Sequence, residues 1–512
     1  GLASAESQKI LQQAEQAARQ ASDSMTEHRS VMWACLSRLE RNGSGACSAA
    51  DVRSSYDKLR NSGIPRFSVE SGFIQARILQ GSGRSRAALE LMSGLIDEMR
   101  FYQSRVPGVL GAWYWENRAA VFSEYLSISV SMSGAGAGQP ADGRQLLLAL
   151  ERVRRLEDTD NMQLKAQQTA FGQSAELRTS MARLETISGA EAEMLAKRVN
   201  EQIEAGLQGD VQNRQSLDSN ALTSLLEGLG AQDSILTYYF AEKFVYLVLG
   251  NRKGVRMLRL SGLNQIRARI NAVRETMGLA QADPSLALLD ALGASLLGPV
   301  SGQLTSRIWF LPSGPLNGFP VDALRLKGRY LAQNHRWVNL ASLRAVEQGS
   351  PQMRAGFRDR VFLGGNPQSD QQLFSYSLSS TAEIDVVRDN FVGPGLHIVQ
   401  GVALQRDEFL DERFSNAALI HLAIPGSIDL AFPERSRLAL SVGGNSEIRD
   451  YLLPADLSAL DVSADLVVLS GTAMTGQGQS SFDSRLGFVT EFLGAGVRSV
   501  AVALWPLADA ES

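Results

Sequence analysis

The residues best suited to proton transfer or nucleophilic attack in this 512-residue chain are four histidines and two cysteines, and they are thinly spread. His28, His335, His397 and His421 are scattered and give no metal-ligand spacing. The cysteines, Cys35 and Cys47, both lie near the N-terminus, and none follows from Ser48 to Ser512. No lysine follows a glycine, which excludes a Walker A phosphate loop. Gly364-Gly365-Asn366 reads as a simple turn leaving a strand at Pro367. The acids of Asp407–Glu412 read as a solvated helix face. No cofactor and no metal are expected. The hydroxyls of Ser470 and Thr472 follow an apolar strand, but an alcohol needs an adjacent base to act as a nucleophile.

Eleven residues separate the two cysteines and include Arg41-Asn42-Gly43-Ser44-Gly45, a turn between two helical patterns. Such a turn brings residues at its base together. A Cys35–Cys47 disulfide is possible if the Cα atoms fall within about 7 Å, and two buried free thiols are the alternative. Disulfides persist mainly outside the cytosol. The chain starts at Gly1 with no initiator methionine, no basic n-region and no apolar h-region, as a processed product or a fragment would. These features favour a periplasmic or extracellular location, with the cytoplasm as alternative.

Hydrophobic residues make up 44% and charged residues 20%, enough apolar material for more than one core. Net charge is −4, which gives no electrostatic signature for nucleic acid. The 43 arginines against 7 lysines are what a GC-rich genome would encode. No apolar run reaches the roughly 18 residues needed to span a bilayer.

The elements that must position any site fall into three regions. Residues 1–160 carry helical periodicity, beginning with one long pattern over 1–40 and continuing as helix pairs. One pair turns at Gly81-Ser82-Gly83; another runs through Trp113–Met132 and Arg144–Leu156, joined by a Gly/Ala-rich loop, Ser133–Gly143, expected to be mobile. Stacked pairs of this kind form a concave surface. The turn at Gly83 followed by Arg86-Ala87-Ala88-Leu89-Glu90 resembles a tetratricopeptide unit. Trp113, Tyr114 and Trp115 would serve as an interface anchor or as core packing.

Residues 161–230 read as connecting helices, with Leu184, Ile187, Leu195 and Val199 on one face. From 231 to 512 the texture changes. Strand runs at Ile235–Phe240, Phe244–Leu249, Val255–Leu260, Ile308–Leu311, Val361–Leu363, Leu396–Val399, Ala418–Ile424, Leu466–Leu469 and Val497–Leu504 alternate with helices such as Ser379–Asn390, Gln405–Phe414 and Leu486–Leu493. Alternation implies an α/β domain with a mostly parallel sheet. Its sites would lie at the carboxyl ends of the strands. The fold class is thus an N-terminal α-solenoid followed by an α/β domain.

Four ordered segments carry a specific likeness. They are Trp309–Leu324 (Trp-Phe-Leu-Pro-Ser-Gly-Pro-Leu-Asn-Gly-Phe-Pro-Val-Asp-Ala-Leu), Ala417–Gly426, Ala464–Ser470 and Phe492–Pro506. Together they resemble the CHAT domains, caspase-like peptidase domains found with tetratricopeptide repeats. The resemblance implies a caspase-like α/β fold, and helices continuing beyond Trp505-Pro506, so that the end at Ser512 is expected to be incomplete.

The resemblance also implies a His–Cys dyad, which this sequence lacks. The family histidine directly precedes the glycine that closes its strand, and here Pro425 precedes Gly426. The family cysteine comes two residues after the leading serine, and here Thr472 follows Ser470, or Ala473 with a one-residue slip. Proline does no acid–base work. His421 lies four residues before Pro425, about 13 Å back along an extended strand, and reads as a core residue. The chain is therefore expected to be a catalytically inactive scaffold or complex subunit that binds protein partners. The alternative is an atypical peptidase using Thr472 or Ser470 as nucleophile.

Overall fold

The protein is described from a computed structural model that covers residues 5–43, 46–105, 111–134, 140–154, 194–195, 198, 217–260, 262–277, 286–347, 359–368, 380–391, 394–429, 436–441, 451–457, 460–475 and 487–504. It divides into two compact units, Gly1–Ala135 with Arg144–Ser219, and Gly136–Gly143 with Asn220–Ser512.

The first unit is helical: α1 (Ala5–Gln20), α2 (Ser24–Asn42), α3 (Arg53–Arg60), α4 (Pro65–Gly81), α5 (Ser85–Arg105), α6 (Gly111–Met132) and α7 (144–154). The single helical pattern expected over 1–40 is two helices. Asp23 caps the second, accepting from Thr26 N at 3.1 Å, and Ser22 turns the chain at φ +53. An N-cap aspartate satisfies the amides that a continuing helix would use internally, so the chain restarts there. The α4–α5 turn closes on Gly83 at φ +77, a left-handed position that glycine takes without cost. At the foot of α4, Glu70 is 2% exposed and holds α2 by Arg29 Nε (2.8 Å), Arg29 Nη2 (3.0 Å) and Trp33 Nε1 (2.9 Å). Three donors on one carboxylate offset the cost of burying its charge.

Cys35 and Cys47 are joined by a disulfide between the second half of α2 and the segment before α3, their Cα atoms 5.5 Å apart. Both are buried. Trp113, Tyr114 and Trp115 fall in the first turns of α6, and their side chains lie outside the described residues. So does most of the expected connecting region, including Leu184, Ile187 and Val199.

The second unit is an α/β assembly of several sheets, where one mostly parallel sheet was expected. A six-stranded mixed sheet has the order β1-β4-β3-β2-β5-β8. Its strands are β1 (Ala141–Asp142), β2 (Asp233–Phe240), β3 (Val245–Asn251), β4 (Gly254–Leu260), β5 (Arg307–Leu311) and β8 (Arg336–Asn339). β2, β3 and β4 are antiparallel neighbours because short turns join them, while β5 and β8 run parallel to β2. Part of the loop expected to be mobile is here a strand: Ala141 and Asp142 pair with Met257 and Arg256. Gly143 permits it, since a β-carbon there would press on Val255, Arg256 and Met257. Helices α8 (Ser219–Gly228), α9 (Leu263–Met277) and α10 (Leu286–Leu297) belong to this unit, and α9 and α10 bury Ile266, Ile270, Leu292 and Leu296 with Leu236, Leu247 and Phe310 of the sheet. Between β5 and β8, β6 (Arg325–Leu326) and β7 (Arg329–Tyr330) form a small hairpin.

The second principal sheet is wholly parallel, in the order β10-β9-β11-β15-β17. Its strands are β9 (Val361–Gly365), β10 (Leu396–Gln400), β11 (Leu419–Ala423), β15 (Leu466–Leu469) and β17 (Val500–Val502). One face packs Phe362, Ile420, Leu422 and Val467 with Phe409, Phe414, Phe488 and Phe492, the last two from α12 (Phe488–Gly494). The other face packs Leu363, Leu419 and Ala423 with Ile384 of α11 (Ser380–Asp389). The helix expected over 405–414 is instead a 3-10 turn, Arg406–Phe409, and a short helix, Glu412–Ser415, because Asp411 recaps the chain by accepting from Arg413 N at 2.7 Å. The Arg413 side chain, bonded to the same carboxylate, holds Asp411 well below the usual carboxylate range.

Candidate functional site

The parallel sheet delivers the two expected dyad positions to adjacent strand tips. β11 and β15 run side by side, with Leu422 opposite Leu469. Each then continues into a strand of a second, four-stranded sheet with the order β14-β13-β12-β16, where β12 is Gly426–Asp429, β13 Arg437–Ala439, β14 Tyr451–Leu452 and β16 Thr472–Thr475. β12 and β16 are again parallel, and Gly426 stands opposite Thr472.

Between the two paired stretches, Ala423, Ile424 and Pro425 on one strand face only Ser470 and Gly471 on the other. The extra residue makes a bulge, which is where proline is tolerated within a sheet. Pro425 is buried, and its carbonyl accepts from Ala439 N at 2.8 Å. Ser470 N donates to Leu422 O at 3.2 Å, while its Oγ is buried with no hydrogen-bond partner among the described residues. The Thr472 side chain lies outside the described residues; its backbone is in β16.

His421 is 8% exposed, and its Nε2 lies 2.7 Å from Glu383 Oε1 of α11. Ser380, the first residue of the same helix, donates to Ala423 O and accepts from Asn366 N at 2.8 Å. Gly364-Gly365-Asn366 thus ends β9 in a turn with Asn366 at φ +49. Glu383 was not singled out in the sequence, where Ser380 and Glu383 have the spacing of an ordinary capping box; only the tertiary fold reveals its histidine partner.

The Trp309–Leu324 segment runs from β5 into a loop tied to the first sheet. Thr237 Oγ1 donates to Leu311 O at 2.9 Å, and Ser313 Oγ donates to Tyr238 O. Burial holds the Tyr238 phenol well above its ordinary range, so it stays protonated and donates to Leu296 O at 3.2 Å. Arg274 donates to Asn317 O at 2.6 Å over the Phe319 ring, and burial lowers its pKa. The last two sequence segments meet as well: Arg498 pairs with the buried Asp465 at 3.5 Å, and Arg498 N donates to Ala464 O.

These four segments converge on one unit. Residues 283–512 match the family model of the CHAT domain. The match takes in Trp309–Leu324 and both strand tips of the parallel sheet. No curated protein matches the chain. Among the described residues of the CHAT match and of the rest of the chain, no group of three or more His, Cys, Asp or Glu side chains is placed to hold a metal ion. Among them, no helix is long and apolar enough to cross a membrane.

Proposed function

We propose that the chain is a catalytically inactive CHAT-domain protein that works as an interaction scaffold or as a subunit of a larger assembly. The observation that carries this reading is the register of Gly426 against Thr472. Where the resemblance expects an imidazole and a thiolate on neighbouring tips, the sequence offers Pro425 and Thr472. Neither peptide cleavage by sulfur nor proton relay by a ring nitrogen has a group to run on there. Two further observations weigh against an alcohol nucleophile. His421, the nearest imidazole in sequence, is bonded to Glu383, and the Ser470 hydroxyl has no hydrogen-bond partner among the described residues.

In this reading the helical unit is a tetratricopeptide-like solenoid that docks protein partners, with Trp113, Tyr114 and Trp115 as candidate anchors. The Cys35–Cys47 bond favours a periplasmic or extracellular setting over the cytoplasm.

The test is incubation of the purified chain with a proteome-derived peptide library, with new termini read by mass spectrometry. The expected outcome is no cleavage above the buffer control. Cleavage that disappears in Thr472→Ala or Ser470→Ala would overturn the reading in favour of an atypical peptidase.

A further inference from the structure

A cavity of about 330 Å³ lies one strand beyond the altered tips. Leu469 and Val502 are register partners, so the residues that follow them, Ser470 and Ala503, leave the sheet side by side. The cavity opens at this carboxyl end of β17, where parallel sheets place their ligand sites. Its apolar walls are Pro320, Ala323, Val502 and Leu504. Its polar groups come from Asp322 and Tyr330. Its volume is at the lower end of the roughly 300–1,000 Å³ of small-ligand pockets, the scale of one long side chain with the backbone that carries it.

Asp322 is the informative residue. It is half-buried, and its carboxylate has no hydrogen bond or ion pair with any described residue. The nearest guanidinium along the chain, Arg325, is committed elsewhere: to Asp290 at 3.2 Å, to Gly328 O at 2.6 Å, and over the Tyr330 ring at 5.6 Å. That carboxylate is therefore open to a cation from outside the chain. The walls suit methylenes, and the carboxylate suits an ammonium or guanidinium.

We propose that this cavity receives an arginine or lysine side chain of a partner polypeptide, making the CHAT-matching unit a reader of basic residues. The inference deepens the scaffold reading by naming the chemistry of one docking point beside the altered tips. It requires no catalysis.

The experiment uses the full chain and immobilised pools of acetylated hexapeptides, randomised except at one central position fixed as arginine, lysine, norleucine or glutamate. The arginine and lysine pools should retain the protein at least fivefold better than the norleucine pool. Asp322→Asn should reduce that preference to within twofold without lowering norleucine binding. Ala323→Trp, which fills the cavity, should lower binding of all pools with an unchanged far-ultraviolet spectrum. Equal retention of all four pools, or a basic preference that survives Asp322→Asn, would overturn the assignment. Cleavage of the bound basic peptides would sink the inactive reading instead and leave the pocket standing.

Discussion

A β-carbon placed on Gly471 would lie 2.5 Å from the carbonyl oxygen of Ile424 and 2.7 Å from its carbonyl carbon. The two backbones meet at the bulge between the sheets, and the contact leaves no room for a side chain. Gly471→Ala must therefore push β11 and β15 apart at their tips. Overpacking of this kind costs about 1–3 kcal/mol, and backbone cannot rotate aside as a side chain can. Urea unfolding should show a lowered midpoint with an unchanged slope. A variant as stable as the parent would mean the two tips are not in this contact.

The buried pair His421–Glu383 fixes α11 to the parallel sheet together with Ser380. Removing either partner leaves a largely buried polar group unmatched, at about 1–3 kcal/mol. Glu383→Ala and His421→Ala should each destabilise by that order, and the double variant by less than the two added, with a coupling of about 0.5–3 kcal/mol. Amides of residues 380–389 should exchange faster in both single variants. Additive effects would show the pair to be incidental. If His421 instead served chemistry at the tips, its loss would change peptide processing and leave the exchange of α11 untouched.

How much of this could be read in advance divides along the range of the interaction. The strands at 235–240, 308–311, 361–363, 396–399 and 466–469 announce themselves because apolar, β-branched runs bounded by turn residues report local preference. The strands that end in Ala423 and Leu469 were legible as such runs, and the fold brings the following Gly426 opposite Thr472. What was missed depends on partners distant in sequence. A two-residue strand such as Ala141–Asp142 carries no periodic signal; β4 selects it. The break at Ser22-Asp23 was overridden by the alanine-rich pattern around it, although the aspartate cap was present in the sequence. Glu383 and Asp322 carry no local signal of their own, since their surroundings come from the sheet and the cavity.

Glu124 offers a pH-dependent test in the helical unit. Burial pushes its carboxyl above the ordinary range, Arg77 at 3.8 Å opposes the shift, and Glu40 adds to it. The folded state therefore prefers this acid protonated. Its contribution to stability is present at low pH and lost as pH rises through the raised value. Glu124→Gln, which stays neutral, should melt at a higher temperature than the parent near pH 7.5. The difference should vanish below about pH 4, where an ordinary glutamate is itself protonated. A variant less stable than the parent at pH 7.5 would mean the ion pair with Arg77 outweighs the burial.

The Cys35–Cys47 bond closes a loop of 12 residues between α2 and α3. Cross-linking a loop of that size restricts the unfolded chain and is worth about 3 kcal/mol, before any enthalpic correction. Both sulfurs are buried, so reduction should be slow in the native state and fast once the hairpin opens. The intact mass without reductant should be lower by two hydrogens than the mass after reduction, and alkylation should add two adducts only after reduction. Cys35→Ser with Cys47→Ser should lower the melting temperature of the helical unit, and reductant should lower the parent to the same value while leaving the double variant unmoved. Two alkylatable thiols in protein purified under oxidising conditions would remove the bond, and with it the main support for a periplasmic or extracellular setting.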